Sequence, residues 1–224
     1  MSHDLNRGTP RVPPRLIAIV GGSGAGKTWL AGRLERALGG AAARLSLDDF
    51  YRDRSHLPPA RRARINFDHP RTMDWPLVEQ VLSQCRSGRA VALPRYDFAT
   101  HTRLAQSRSL APGKALLIDG LWLLRRRSVR RLFDLSIFVD CPAGLRLQRR
   151  LARDLRQRGR TAGSVKRQFR ENVEPMHARF VASQRRLADV VVPQPAGRAD
   201  WQRVLARVKT LLCGAPDSVS PTHA

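Results

Sequence analysis

Cysteine is scarce in this 224-residue sequence: Cys85, Cys141 and Cys213 are odd in number and widely scattered. That pattern fits neither a disulfide framework nor the paired spacing of a zinc site, and it predicts reduced thiols in a cytoplasmic protein. Long hydrophobic runs are missing too. The longest, such as Leu16 to Val20 and Ala115 to Ile118, fall far short of the roughly 18 residues of a membrane-spanning helix, so no membrane partner is expected. The first fourteen residues contain no apolar core of the kind a secretory signal needs, and export is not expected. Acidic residues number 18 against 41 basic ones, which leaves a net charge of +23 and a field that attracts polyanions. GC-rich coding accounts for the preference of Arg over Lys but not for the shortage of acids. What is present is ordinary for a globular chain: a hydrophobic fraction of 42% and enough length to bury a sizeable core.

Along the chain, short β-branched runs alternate with helical spacings. Leu16 to Val20 reads as a strand buried on both faces, followed by Trp29, Leu30, Leu34 and Leu38 at helical spacing until Gly39-Gly40. Further strands are expected at 43–47, 115–119, 135–139 and 190–192. Helices are expected at 75–85, begun by Asp74, and at 143–156, 164–187 and 201–212. Strands alternating with helices imply an α/β fold with a central parallel sheet covered on both faces, a three-layer sandwich. Val91 to Phe98 and Leu104 to Leu110 read instead as an inserted antiparallel hairpin, a candidate substrate flap. Residues 15–214 form one expected domain, between tails at 1–14 and 215–224 whose Pro, Ser, Thr and His content predicts disorder.

Directly after the first strand stands Gly21-Gly22-Ser23-Gly24-Ala25-Gly26-Lys27-Thr28, a complete G-x-x-x-x-G-K-[ST] phosphate loop between a strand and a helix. Its glycines let backbone N–H groups turn inward as an anion nest, Lys27 reaches the β/γ-phosphates, and the Thr28 hydroxyl can hold Mg²⁺. Asp48 ends the second strand and Asp119 ends the Ala115 to Asp119 strand, a Walker B pattern. Strand C-termini in open α/β sheets face the ligand crevice. One carboxylate can take the proton of an acceptor hydroxyl while the other orders the metal's water shell. The competing reading of Asp119 is a helix or turn cap, and one of Asp48 and Asp49 is read as a cap only.

Several further blocks follow in order: Asp48-Asp49-Phe50-Tyr51, Asn66-Phe67-Asp68-His69-Pro70, Pro94-Arg95-Tyr96-Asp97-Phe98 with His101 and Arg103, then Arg149-Arg150, Arg153-Asp154, Arg158-Gly159-Arg160, Gln168 and Ala188-Asp189-Val190. With the phosphate loop, they make residues 16 to 193 resemble the phosphoribulokinase/uridine kinase family, its uridine kinases most closely. The resemblance implies a phosphate-loop kinase fold, with a nucleoside-binding insertion near 50–110 and a helical lid near 150–165. It implies transfer of a phosphoryl group from ATP or GTP to the 5′-hydroxyl of uridine or cytidine, with Mg²⁺, in a homotetramer. Asp48 would then be the general base, and Thr28, Asp48 and Asp119 the metal-side residues. Asp68, assisted by Arg150, would hold the ribose 2′,3′-diol. Tyr96 and His101 would read the pyrimidine edge, and Phe67 and Phe98 would pack on the base. Tyr51, Arg103, Arg160 and Gln168 would complete the pocket. The chain departs from the pattern at Asp119-Gly120, where these kinases usually carry Glu-Gly, at Met73-Asp74-Trp75, and in the basic stretch 52–65. These departures bear on the choice of acceptor, which leaves another small metabolite as the alternative substrate.

Arg153, Arg158 and Arg160 flank Gly159 as a hinge between two helices, and lid arginines of this kind stabilise charge on the γ-phosphate in the transition state. Arg146, Arg149, Arg156 and Arg167 read as a solvated helix face, their stems lying along apolar surface. A nucleic-acid-binding role is the reading that the net charge invites. Against it, the aromatics cluster in the proposed small-molecule site instead of alternating with basic residues along a groove, so no nucleic-acid partner is expected. No metal other than Mg²⁺ is indicated.

Overall fold

The computed structural model describes residues 12–157 and 159–214. Its centre is a five-stranded parallel sheet: β1 (Arg15–Gly21), β2 (Ala42–Ser46), β7 (Ala115–Gly120), β8 (Leu135–Asp140) and β9 (Val190–Pro193). The spatial order is β2-β7-β1-β8-β9. Strand side chains point alternately to the two faces. Leu16, Ala18 and Val20 of β1 therefore join one core with Leu116, Ile118 and Phe138, whereas Ile17 and Ile19 join the other with Leu117, Ile137 and Val139. Both faces are dry, which explains why these strands read as continuous apolar runs.

The hairpin is antiparallel, as expected, and splits into two ladders. β3 (Val91–Leu93) pairs with β6 (Arg108–Leu110), and the two-residue strands β4 (Tyr96–Asp97) and β5 (Thr102–Arg103) pair at its tip. The helices are α1 (Lys27–Leu38), α2 (Pro59–Arg62), α3 (Trp75–Arg86), α4 (Arg127–Arg130), α5 (Ala143–Gln157), α6 (Ala162–Gln168), α7 (Glu174–Met176) and α8 (Arg198–Cys213). Asp74 caps α3 by accepting from the Leu77 amide.

One helix expectation is corrected. Residues 164–187 are not a single α-helix: α6 and α7 are separated by the π-helical segment Phe169–Val173, and a second one, His177–Val181, leads into the 3₁₀ turn Ala182–Leu187. Pro175 supplies a physical reason, because a proline inside a helix removes a donor and crowds the preceding turn; π-bulges relieve such conflicts and recur at functional sites. Of the expected tails at 1–14 and 215–224, residues 1–11 and 215–224 lie outside the described residues. No helix among the described residues is long and apolar enough to cross a membrane.

Candidate active site

The C-terminal end of β1 turns into the phosphate loop, and the loop into α1. Gly24 has φ +81°, and a Cβ there would stand 2.5 Å from the Arg146 carbonyl oxygen, so only glycine permits this packing. The Lys27 ammonium donates to the Gly22 carbonyl at 3.0 Å. Burial lowers its pKa, against the opposing pull of Asp119 and Asp48. Thr28 donates its hydroxyl hydrogen to Asp119 at 2.8 Å. Asp119 is thus a buried neighbour of the loop and not a cap.

Asp48 sits in the 3₁₀ turn Leu47–Phe50 after β2. The cap of that turn is Ser46, whose side chain accepts from the Asp48 amide, so the expectation that one of Asp48 and Asp49 is only a cap is corrected: both line the cleft. Burial pushes the Asp48 carboxyl up to about 6, with Lys27 opposing the shift and Asp119 adding to it. Phosphate loop, Asp48 and Asp119 border one cleft of about 1170 Å³, whose far wall includes Tyr51, Phe67, Asp68, Tyr96, Phe98 and His101.

That wall is an aromatic cluster. Phe67 and His101 stack at 4.3 Å, and Tyr51 meets Phe67 edge-on at 5.5 Å and Tyr96 at 5.2 Å. Tyr51 donates to the Phe67 carbonyl at 3.1 Å. Tyr96 Oη and His101 Nδ1 are buried and have no hydrogen-bond partner among the described residues. Buried polar atoms of this kind call for an explanation, and a polar ligand edge in the cleft supplies one. His101 adopts φ +56°, uncommon outside glycine and concentrated at functional sites. Burial raises the Asp68 carboxyl pKa, against Arg150 and Arg153.

On the third side are α5 and α6. Arg150 donates to Ser23 Oγ at 2.9 Å and to Gln168 Oε1 at 2.8 Å, and the Arg160 guanidinium donates to the same Gln168 oxygen and to Ser164 Oγ. Asp154, fully buried, accepts from Arg153 Nε at 2.8 Å and stands 3.5 Å from Arg150 Nε and 3.8 Å from Arg160. Gly159 has φ +59°, which lets the chain turn between the two helices.

Sequence reasoning misplaced three arginines and assigned no role to Asp154. Arg103 does not line the cleft: its guanidinium donates to the Tyr51 carbonyl at 2.9 Å and to Asp74 at 3.1 Å, clamping the hairpin to the segment after β2. Arg146 is not solvated but 2% exposed, bonded to the Cys141 carbonyl and Glu174. Arg149 lines the cleft and donates to the Ala25 carbonyl and Gln194. For Arg146 and Arg149 the signal was the spacing 146, 149, 150 and 153, which puts these four arginines on one face of α5. Arg156 and Arg167 are exposed, as expected. Arg158 lies outside the described residues.

The sequence profile of the Phosphoribulokinase / Uridine kinase family matches residues 16–199. The chain belongs to that family. The chain is 41% identical over 186 residues to the uridine kinase of Deinococcus deserti, covering 83% of this kinase and 90% of that one. With the uridine kinase of Chloroflexus aurantiacus the figures are 38% over 206 residues, 91% and 98%. The kinase also shares its fold with phosphoribulokinase from Rhodobacter spheroides (TM-score 0.60, 17% identity, 81% of this chain and 70% of that one).

Proposed function

We propose that this kinase transfers the γ-phosphoryl group of ATP to the 5′-hydroxyl of uridine or cytidine, giving UMP or CMP. The observation that carries the reading is the single cleft joining the phosphate loop, a carboxyl held at about 6 on Asp48, and the polar-edged aromatic wall of Tyr51, Phe67, Asp68, Tyr96 and His101. Asp48 orients the acceptor hydroxyl and takes its proton as the new P–O bond forms, a role suited to a pKa near the operating pH. Asp68 accepts both ribose hydroxyls, and a deoxyribose leaves one of its buried acceptors unpaired. Neutral His101, its pKa lowered by burial and by Arg62, can donate through one ring nitrogen and accept through the other, as reading a pyrimidine edge requires.

Thr28, Asp119 and Asp48 make an all-oxygen donor set, and the Thr28–Asp119 contact puts two of its members at the phosphate loop. Such a set suits Mg²⁺, which is usually held by one or two carboxylates together with substrate phosphates. When bound, the ion neutralises charge on the β- and γ-oxygens. Lys27 supplies a fixed positive charge there, and Arg153, with Arg158, is read as the lid cation that closes over the same phosphates. Residues 50–110 then serve as the nucleoside-binding insertion, with GTP as a second donor and a homotetramer as the assembly.

An acceptor panel tests the proposal. Uridine and cytidine should give the highest kcat/KM with ATP and Mg²⁺, and activity confined to a non-nucleoside would overturn it.

A further inference from the structure

Trp29 has no role in the account above, yet it is a large aromatic residue, 55% exposed, on the border of the cleft. It follows Thr28 on the first turn of α1. The aromatic contacts of the acceptor wall are confined to Tyr51, Phe67, Tyr96, Phe98 and His101 and leave Trp29 apart. Its partners lie on the other flank. The Arg33 guanidinium stands 5.2 Å from the Trp29 ring centroid and 4.0 Å from that of Trp201 on α8. That helix follows β9, at the sheet edge opposite β2, from which Asp48 and the acceptor wall emerge. A guanidinium in contact with both indoles restrains the Trp29 ring, which stays more than half exposed.

The phosphate loop fixes the direction of a bound triphosphate. Its γ end must face Asp48, so the nucleoside end leaves the cleft on the side away from the acceptor wall. Trp29 is a large aromatic surface on that flank, and Gly26 and Arg149 line the same cleft. We propose that Trp29 is the aromatic wall of the donor subsite and stacks on the nucleobase of the phosphate donor. This rests on the kinase reading above and adds a residue to it.

The test is calorimetric binding to the full chain, without acceptor, of MgADP and of inorganic tripolyphosphate with Mg²⁺. Trp29→Ala should weaken MgADP by roughly 5–50-fold and leave tripolyphosphate within about 2-fold, because only the former carries a base. Trp29→Phe should keep most of the MgADP affinity. Unchanged MgADP binding in Trp29→Ala, or equal weakening of both ligands, overturns the assignment of Trp29 and leaves the kinase reading intact. A wild-type chain that binds neither ligand overturns both.

Discussion

Thr28 and Asp119, 91 residues apart in sequence, share a 2.8 Å hydrogen bond. Parallel pairing of β1 with β7, Ile19 opposite Asp119, brings the Walker B carboxylate to the phosphate loop. The aspartate is one methylene shorter than the glutamate usual at this place, yet it still reaches the loop hydroxyl. Asp119→Asn should keep the fold and raise the Mg²⁺ concentration needed for half-maximal activity by roughly 10–100-fold, read from a metal titration at saturating ATP.

Asp48 couples catalysis to stability. Its carboxyl lies at about 6 in the fold, against 3.8 ordinarily. A raised carboxyl stabilises the fold fully below its unfolded value, and that contribution is lost as pH rises through 6. At pH 8 the buried charge is therefore unfavourable. Asp48→Asn should raise Tm there by roughly 2–6 °C, with little change near pH 4. Turnover should fall by about 10²–10⁴-fold, with MgADP binding retained. In the wild type, kcat/KM should decline below about pH 6 as the base is protonated.

Asp68 is the predicted discriminator of sugars. Wild-type kcat/KM should favour uridine over 2′-deoxyuridine, and Asp68→Asn should lower uridine kcat/KM by roughly 10–100-fold while narrowing that preference.

Asp154 anchors Arg150 and Arg153 of α5 and Arg160, which stands just before α6. Removing one partner of a buried ion pair strands the others, so Asp154→Ala should destabilise the chain by roughly 3–5 kcal/mol in urea unfolding. Amide exchange should rise first near Gly159, where the helices join.

The sheet was legible because each strand is a short apolar run, and the phosphate loop because its glycine spacing has a geometric cause. Tyr51, Phe67, Asp68, Tyr96 and His101 were legible through resemblance, since no local periodicity announces a cleft assembled from a turn and a hairpin. The arginines divided on burial, which charge does not reveal. Arg146 and Arg156 are both arginines of α5, yet one lies under the phosphate loop and the other faces water. Arg103 carried the family spacing but was drawn to Asp74, the residue that caps α3. The interruption of the helix beyond Gln168 was hidden because Pro175 marks a break without fixing how the backbone absorbs it.

The most direct measurement incubates the purified chain with ATP, Mg²⁺ and uridine and identifies the products by mass spectrometry and ³¹P NMR. Stoichiometric ADP and uridine phosphorylated at O5′ are predicted, both formed about 10²–10⁴-fold more slowly by Asp48→Asn. ATP consumed without UMP or CMP from either pyrimidine nucleoside, or normal turnover by the Asn variant, would contradict the account.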